Sequence, residues 1–547
     1  MRLTIEGRVC DYPDGRDLAA IGRDFARPER GPIVAARILN ELRDLWHIPQ
    51  DGDAIEWIDL RDPDGMRIYG RSLSFVLIRA ARELFPGVRV TIEHSLCKGL
   101  YGEIHHGREL TGGDIAAVAR RMAEIIARDE PITKSEMPLA KALDLFARDG
   151  QDDKVRLLKY RTLPTVKVYR LGELADYFYG YTVPSTGLLS LFGLRLYSPG
   201  FILSFPLPED PVALPAFVDQ PKLARIYGEF EKWGEILDLD DVGALNDHVA
   251  RGEGPDLVRI SEALHEKKIA QIADMLNCQR GRVKIALIAG PSSSGKTTFA
   301  QRLAIQLRVV GLKPIAVSID DYFVPRESTP LDESGRPDFE ALDAIDLELF
   351  NRQLLELIEG REVLVPRYDF VRGRQTPEGR RLRLADEGGV LLVEGIHGLN
   401  ERLTAAVPRE QKFKIYVSAL TQLNLDHHNR IPTTDSRVIR RMVRDHKFRG
   451  HEALQTIRQW PLVRRGEERN IFPFQEEADV IFNSALPYEL AVLKKYAEPL
   501  LGAIGPDVRE YIEAKRLSKF LSYFLPLDAG EVPKNSILRE FIGEGCF

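Results

Sequence analysis

The run Ile285-Ala-Leu-Ile-Ala-Gly290-Pro-Ser-Ser-Ser-Gly295-Lys296-Thr297-Thr298-Phe299-Ala300 constrains this chain more than any other stretch. Its apolar opening reads as a buried parallel strand, and Gly290 to Thr297 fits G-x-x-x-x-G-K-[ST] at every fixed position. Beyond it, Phe299, Leu303, Ile305 and Leu307 sit among polar residues in a helix-like pattern. Strand, glycine loop and helix together predict a nucleotide triphosphate site. Ser292, Ser293, Ser294 and Gly295 lie where backbone N–H groups curl around phosphate oxygens, and Thr298 opens the positive end of the helix. Lys296 is expected to bridge the β- and γ-phosphates, and the Thr297 hydroxyl to hold Mg²⁺.

A chain of 547 residues is too long for one core and is expected to divide into roughly three or four domains. Lys and Arg number 76 against 82 Asp and Glu, a net charge of -6, which argues against a chain-wide nucleic-acid field but not against a local basic patch. Cys10, Cys97, Cys278 and Cys546 lie far apart without C-x-x-C spacing, so neither a disulfide framework nor a zinc cluster is implied. The polar start Met1-Arg-Leu-Thr-Ile-Glu-Gly and the lack of a membrane-spanning apolar run make the cytoplasm the expected location, with no membrane partner.

Residues 1–60 read as a small α+β module: a strand at Leu3–Gly7, helical patterns at Asp17–Phe25 and Ile33–Leu45, and a strand near Ala54–Leu60. Residues 61–210 mix helices at Ser72–Leu84, Gly113–Arg128 and Leu139–Arg148 with strands at Val88–Glu93, Thr165–Arg170 and Leu194–Tyr197. Proline punctuates an exposed crossing from Pro206 to Pro221, and residues 211–280 read as a helical connector. In this half, Asp64–Tyr69, Arg71–Phe75, Leu100–Ile104 and Asp176–Gly187 occur in an order similar to the N-terminal half of threonyl-tRNA synthetase. That resemblance implies a TGS-like domain followed by an editing-like domain. The family's editing site uses H-x-x-x-H and C-x-x-x-H pairs, which fall here on Arg71 and Phe75 and on Phe178 and Thr182. Neither pair is kept, so the editing-like domain is read as degenerate, retained for binding, docking or regulation.

Residues 281–500 are expected to form an α/β domain with a doubly wound parallel sheet, and residues 501–547 a helical tail. Pro314–Ile319 reads as a strand delivering Asp320, Asp321 and Tyr322 to its C-terminal end, where such sheets bind ligands. A carboxylate there can accept a hydroxyl proton, or the pair simply serves a turn. Glu340, Asp343 and Asp346 fall at helix-like spacing, either to read hydroxyls or to cap the helix at Leu347–Ile358. Tyr368 and Phe370 end an extended segment and stack either on a ring or in the core. Glu394 follows the apolar strand Val390–Val393, a position suited to holding Mg²⁺. On a later helix, Arg437, Arg441 and Arg444 fall near one face, with Arg440 one turn before Arg444, either as a phosphate clamp on a mobile helix or as a solvated or RNA-contacting face.

The order G-P-S-S-S-G-K-T-T, S-I-D-D-Y, D-F-E-A-L-D-A-I-D, P-R-Y-D-F, V-E-G-I-H, R-R-M-V-R-D…R-G resembles the uridine kinase/phosphoribulokinase family. The resemblance implies ATP- and Mg²⁺-dependent phosphorylation of a sugar or nucleoside hydroxyl. Asp320 falls on the family's base, Glu394 on the acid after the central strand, Arg441, Arg444 and Arg449 on the lid arginines, and Tyr368 and Phe370 beside the nucleobase. Asp321, Tyr322, Glu340 and Arg441 complete the expected acceptor contacts. The histidine that reads the pyrimidine in uridine kinases falls on Gly373 here, leaving another nucleoside, a sugar or a polyol as acceptor. Gly466–Gln475 and Asn535–Gly543 are shared with bacterial nucleoside kinases that carry a synthetase-like N-terminus, without an evident chemical role. The alternative function is a nucleotide-dependent regulator that contacts tRNA or the ribosome through its N-terminal half. Self-association is compatible with either.

Overall fold

The computed structural model describes residues 1–332, 335–369, 372–421 and 423–547. Phe370, expected beside a nucleobase, lies outside the described residues.

The first sheet combines β1 (Arg2–Ile5), β2 (Arg8–Asp11), β3 (Ala35–Ile38), β4 (Glu41–Asp44) and β5 (Ala54–Ile58) in the order β2-β1-β5-β3-β4, with the short helix α1 (Leu18–Gly22) against it. The expected helix at Ile33–Leu45 is instead the β3–β4 hairpin. Leu39 and Asn40 both take positive φ, 53° and 54°, as a tight two-residue turn demands. β3 runs between β4 and β5 with all of its residues buried, so its apolar run reflects a central strand and not a helix face.

Next come α2 (Pro63–Leu84), β6 (Arg89–Leu96), β7 (Gly99–His105), α3 (Gly112–Ala127), β8 (Ile132–Pro138), α4 (Leu139–Arg148), α5 (Asp152–Leu158), β9 (Thr165–Leu171), β10 (Leu174–Asp176), β11 (Gly193–Tyr197) and β12 (Gly200–Ser204). The strands form two sheets, β11-β12-β7-β6 and β10-β9-β8. Where the resemblance would put an editing site, the cleft is filled. The Phe75 and Phe178 rings meet edge to face with centroids 5.2 Å apart. Arg71 donates from Nη1 to the Tyr181 carbonyl at 2.7 Å and lies over the Tyr179 ring, while Thr182 is fully buried.

Helices α6 (Pro221–Leu237), α7 (Val242–Ala250) and α8 (Gly254–Asn277) lead into β13 (Ile285–Ala289), α9 (Lys296–Val309), β14 (Lys313–Ser318), α10 (Leu347–Ile358), β15 (Val363–Asp369), β16 (Arg374–Leu382), β17 (Gly389–Glu394), β18 (Lys412–Ser418), α11 (Thr433–Arg449), α12 (Ala453–Asn470), β19 (Val480–Asn483) and α13 (Glu489–Gly502). The strand order β14-β17-β13-β18-β19 is parallel throughout and puts the phosphate-loop strand at the centre. Burial on both faces explains why β13 reads as an unbroken apolar run; β18 is buried along its length too, with Lys412 and Lys414 reaching Glu401.

The tail, with α14 (Tyr511–Leu521) and α15 (Arg539–Ile542), straps the halves together. Arg516 makes a bidentate pair with Asp435 at 2.6 and 2.8 Å, and Glu513 bridges Arg516 to Arg67 of α2. One apolar core runs from Leu157 and Val168 through Ile288 to Phe520 and Phe541. Among the described residues, no helix is long and apolar enough to cross a membrane.

Candidate active site

The phosphate loop owes its shape to what pulls on its carbonyls. Arg437 donates from Nε to the Ser292 carbonyl at 3.0 Å, Arg440 from Nη1 to that of Ser293 at 3.3 Å, and the Ser484 hydroxyl to that of Ser294 at 2.5 Å. Three successive carbonyls are thereby tied by side chains, and the Ser294 amide closes the turn onto the Pro291 carbonyl at 3.2 Å. Gly290 lets β13 turn sharply: a Cβ there would lie 1.9 Å from the Val417 carbonyl oxygen. Ser293 and Gly295 take φ of 59° and 82° before α9 begins.

Both buried arginines have their own carboxylates. Arg440 is held by Glu489 at 2.5 Å and Arg437 by Glu467. Glu467 also accepts from the Ser292 amide at 3.1 Å, and Arg441 reaches the Ser292 hydroxyl at 2.9 Å. These contacts, with the Arg516–Asp435 pair, tie α11 to the phosphate loop and to the tail. Asp445, almost fully buried, collects the remaining arginines: Arg444 at 2.8 Å, Arg441 at 3.3 Å and Arg449 at 3.5 Å.

Lys296 is half-buried and donates to the Pro291 carbonyl at 3.1 Å. Burial pushes its ammonium below the ordinary lysine range, opposed by Glu394, Asp320 and Glu540. Glu394, at the end of β17, accepts from the Thr297 hydroxyl at 3.1 and 3.2 Å, and is pushed up to about 7 by burial, against Lys296 and with Asp320 and Glu540 adding to it. Asp320 follows β14 in a 3₁₀ turn, Ile319–Tyr322, and is raised by burial, with Lys296 opposing and Asp321 adding. Glu340 is pushed up to about 7 by burial and by Glu467. Acids held near neutrality beside a half-buried lysine are what a site built for highly charged ligands shows.

The remaining predicted residues divide. Asp321 accepts from the Tyr368 amide at 3.3 Å, and the Tyr368 ring packs on Phe323. Tyr322, expected among acceptor contacts, points into the core instead, with its hydroxyl on Gln353 at 2.8 Å; the 3₁₀ turn rotates it away from the two aspartates. Asp346 caps α10 through the Leu349 amide, and the exposed Asp343 pairs with Arg402. Gly373 takes φ of 69°, and a Cβ there would lie 2.9 Å from Arg326 atoms, so no histidine could replace it without strain.

Two groups escaped the sequence reading. Glu540 of the tail accepts from the Thr298 hydroxyl at 2.9 Å and amide at 3.4 Å, while Ile537 packs where a Cβ on Gly295 would lie 2.4 Å away. Glu467 and Asn470 belong to the Gly466–Gln475 stretch: Asn470 donates to the Glu340 carbonyl at 2.7 Å, and Gly466 leaves room for the Glu340 side chain. Both stretches stood out as shared sequence, but their partners lie far away in the chain.

Residues 285–490 match the model of the Phosphoribulokinase / Uridine kinase family, and this region carries a P-loop kinase domain of that family. The N-terminal half is related to threonine–tRNA ligase: 32% identity over 201 residues with that of Nitratidesulfovibrio vulgaris, covering 36% of this chain and 30% of that protein. With the Marinobacter nauticus enzyme the figures are 32% over 246 residues, 42% and 35%. The chain thus spans about a third of the length of the curated relatives it matches. A solved structure named for a possible uridine kinase from Bacillus stearothermophilus is 20% identical, with a TM-score of 0.26 over 39% of this chain and 97% of that one.

Proposed function

We propose that the chain transfers the γ-phosphoryl group of Mg·ATP to a hydroxyl of a small molecule, with a nucleoside as the leading acceptor. The observation that carries this reading is the meeting of the Thr297 hydroxyl, Glu394, Lys296 and Asp320 at one end of the parallel sheet. The amides of the tied loop bind phosphate oxygens, Lys296 moves from the Pro291 carbonyl to the transferring phosphate, and Arg441, Arg444 and Arg449 neutralise charge around it. Asp320 takes the proton of the attacking hydroxyl. Asp321 and Tyr368 shape the acceptor side, with Glu340 as a hydroxyl partner.

Thr297 and Glu394 fit magnesium because both offer hard oxygen ligands within 3.1 Å of each other. Among the described residues, no group of three or more His, Cys, Asp or Glu could hold a metal, so phosphate oxygens and water would supply its other ligands. When bound, the ion supplies charge neutralisation across the phosphates. A screen of nucleosides, sugars and polyols for acceptor-dependent ADP release tests the reading. With the best acceptor, Asp320→Asn should lower kcat at least ~100-fold while leaving ATP affinity within a few-fold. Equal losses in both would move the base elsewhere, with Asp321 next in line.

The likeness to threonine–tRNA ligase favours a second reading, an RNA-contacting N-terminal half that uses nucleotide binding as a switch. Retention of tRNA by the full chain, dependent on ATP, would support it; its absence leaves the kinase reading alone. A cytoplasmic location belongs with both readings.

A further inference from the structure

The stretch Asn535–Gly543, which shows no evident chemistry as sequence, lies against the phosphate loop in the fold. Ile537, Leu538, Phe541 and Ile542 are buried and hold it there. The Lys447 ammonium donates to the Ile542 carbonyl, and the Arg440 guanidinium lies 5.0 Å from the centre of the Phe541 ring. Arg539 donates to the Ala529 and Val532 carbonyls at 2.8 and 2.6 Å. From this fixed base the half-buried Glu540 reaches α9.

Thr298 is the third residue of α9, so its amide has no carbonyl one turn back within the helix to bond. An amide in that position is what a helix offers to a phosphate. Here a carboxylate takes it. One Glu540 oxygen, Oε2, accepts from the Thr298 hydroxyl at 2.9 Å and from the Thr298 amide at 3.4 Å. The same oxygen lies 4.0 Å from the point that a Cβ on Gly295, the last loop residue before the helix, would occupy.

Electrostatics puts Glu540 among the groups assigned to the triphosphate and its metal. Burial pushes the Lys296 ammonium and the Arg449 guanidinium down and the Glu394 carboxyl up; the charge of Glu540 opposes the first two shifts and adds to the third. Both donors on its Oε2 atom are neutral, so the anion is held by hydrogen bonds and not by an ion pair there.

We propose that Glu540 is an internal competitor of the nucleotide: its carboxylate holds the Thr298 amide and hydroxyl in the free chain, and leaves them when a phosphate oxygen takes its place. Because the buried neighbours of Glu540 fix the segment, release requires only a turn of its side chain. Nucleotide affinity is thereby reduced in proportion to the fraction of chains in which Thr298 is free. A carboxylate that served only to cap α9 would add to stability and leave nucleotide affinity alone. The proposal rests on the nucleotide site of the phosphoryl-transfer reading, and not on the acceptor.

The test is isothermal titration calorimetry of the full chain with MgCl₂ and the non-hydrolysable β,γ-methylene analogue of ATP, without acceptor. The parent is compared with Glu540→Gln and Glu540→Ala, and a thermal melt of each free variant establishes that it is folded. Both variants should bind the analogue at least ~5-fold more tightly than the parent. Unchanged affinity in a folded variant overturns the proposal and leaves Glu540 as a cap on α9. Weaker binding overturns it too, and makes Glu540 a positioning residue for the Thr298 hydroxyl. If no chain binds the analogue, the nucleotide site itself fails and the proposal falls with it. Tighter binding in the variants without acceptor-dependent turnover in the parent would sink phosphoryl transfer and leave the competition standing.

Discussion

The phosphate loop and the filled cleft around Arg71 answer the same question in opposite ways. At the loop, charged side chains crowd without full mutual compensation. Lys296 rests on a carbonyl instead of an anion, while Glu394 and Glu340 stand near neutrality. In the cleft, Phe75 and Phe178 close on each other, and Arg71 is settled on a carbonyl and an aromatic face. Such crowding is an electrostatic deficit that a charged ligand would remove. A cleft that has lost its chemical groups is free to pack, and packing has filled it. The comparison separates a charged, incompletely compensated surface from an apolar, packed one.

The largest effect should come from removing the lysine that waits for an anion. Lys296→Ala is expected to lower kcat/KM by at least ~10³-fold, with a melting curve close to that of the parent chain, because the half-buried ammonium holds only the Pro291 carbonyl by hydrogen bond. Steady-state ADP release with the best acceptor measures the first, and differential scanning fluorimetry the second. Full activity in this variant would sink the assignment of the loop. Next, Glu467→Gln leaves Arg437 buried without its carboxylate and weakens the hold on Ser292. A loss of about 3–5 kcal/mol in urea unfolding is expected, together with a raised KM for ATP. On the other side of the comparison, Phe178→Ala should cost about 3 kcal/mol by opening a cavity against Phe75 while leaving kcat within twofold. If kcat falls more than twofold in the folded variant, the cleft is coupled to catalysis and the contrast between the two regions fails.

The loop, Asp320, Glu394 and the Arg441–Arg449 run could be read from the sequence because their chemistry is local: each is a short motif at the end of a strand or on one helix. What escaped depends on distance along the chain. Glu540 reaches Thr298 across 242 residues, and Glu467 reaches Ser292 across 175. No spacing rule announces such contacts. Residue type also cannot tell which side of a 3₁₀ turn faces the ligand, which is why Tyr322 read as a contact and is core. The Ile33–Leu45 hairpin misled for a related reason: a strand buried on both faces shows no alternation, and a dense apolar run then imitates a helix.

The last expected effect, which appears only as pH is raised, tests the seam where the two regions meet. Asp241 caps α7, accepting from the Ala244 amide at 2.8 Å, and the next amide, of Val242, donates to the Asn424 carbonyl of the kinase domain. Burial pushes its carboxyl up to about 7 from an ordinary 3.8, opposed by the Ala244 amide and Arg156, with Asp153 and Asp426 adding to the rise. Between those values the folded chain binds a proton that the unfolded chain has lost, so the contribution of this group to stability falls as pH rises and is exhausted above about 7. Asn at the same position keeps the capping oxygen and cannot ionise. Asp241→Asn should therefore match the parent chain near pH 4 and exceed it by up to about 4 kcal/mol at pH 8, seen as a melting temperature that diverges from the parent's as pH is raised. A constant offset at every pH would mean that Asp241 is already ionised in the fold, and that the seam, unlike the phosphate loop, carries no electrostatic deficit.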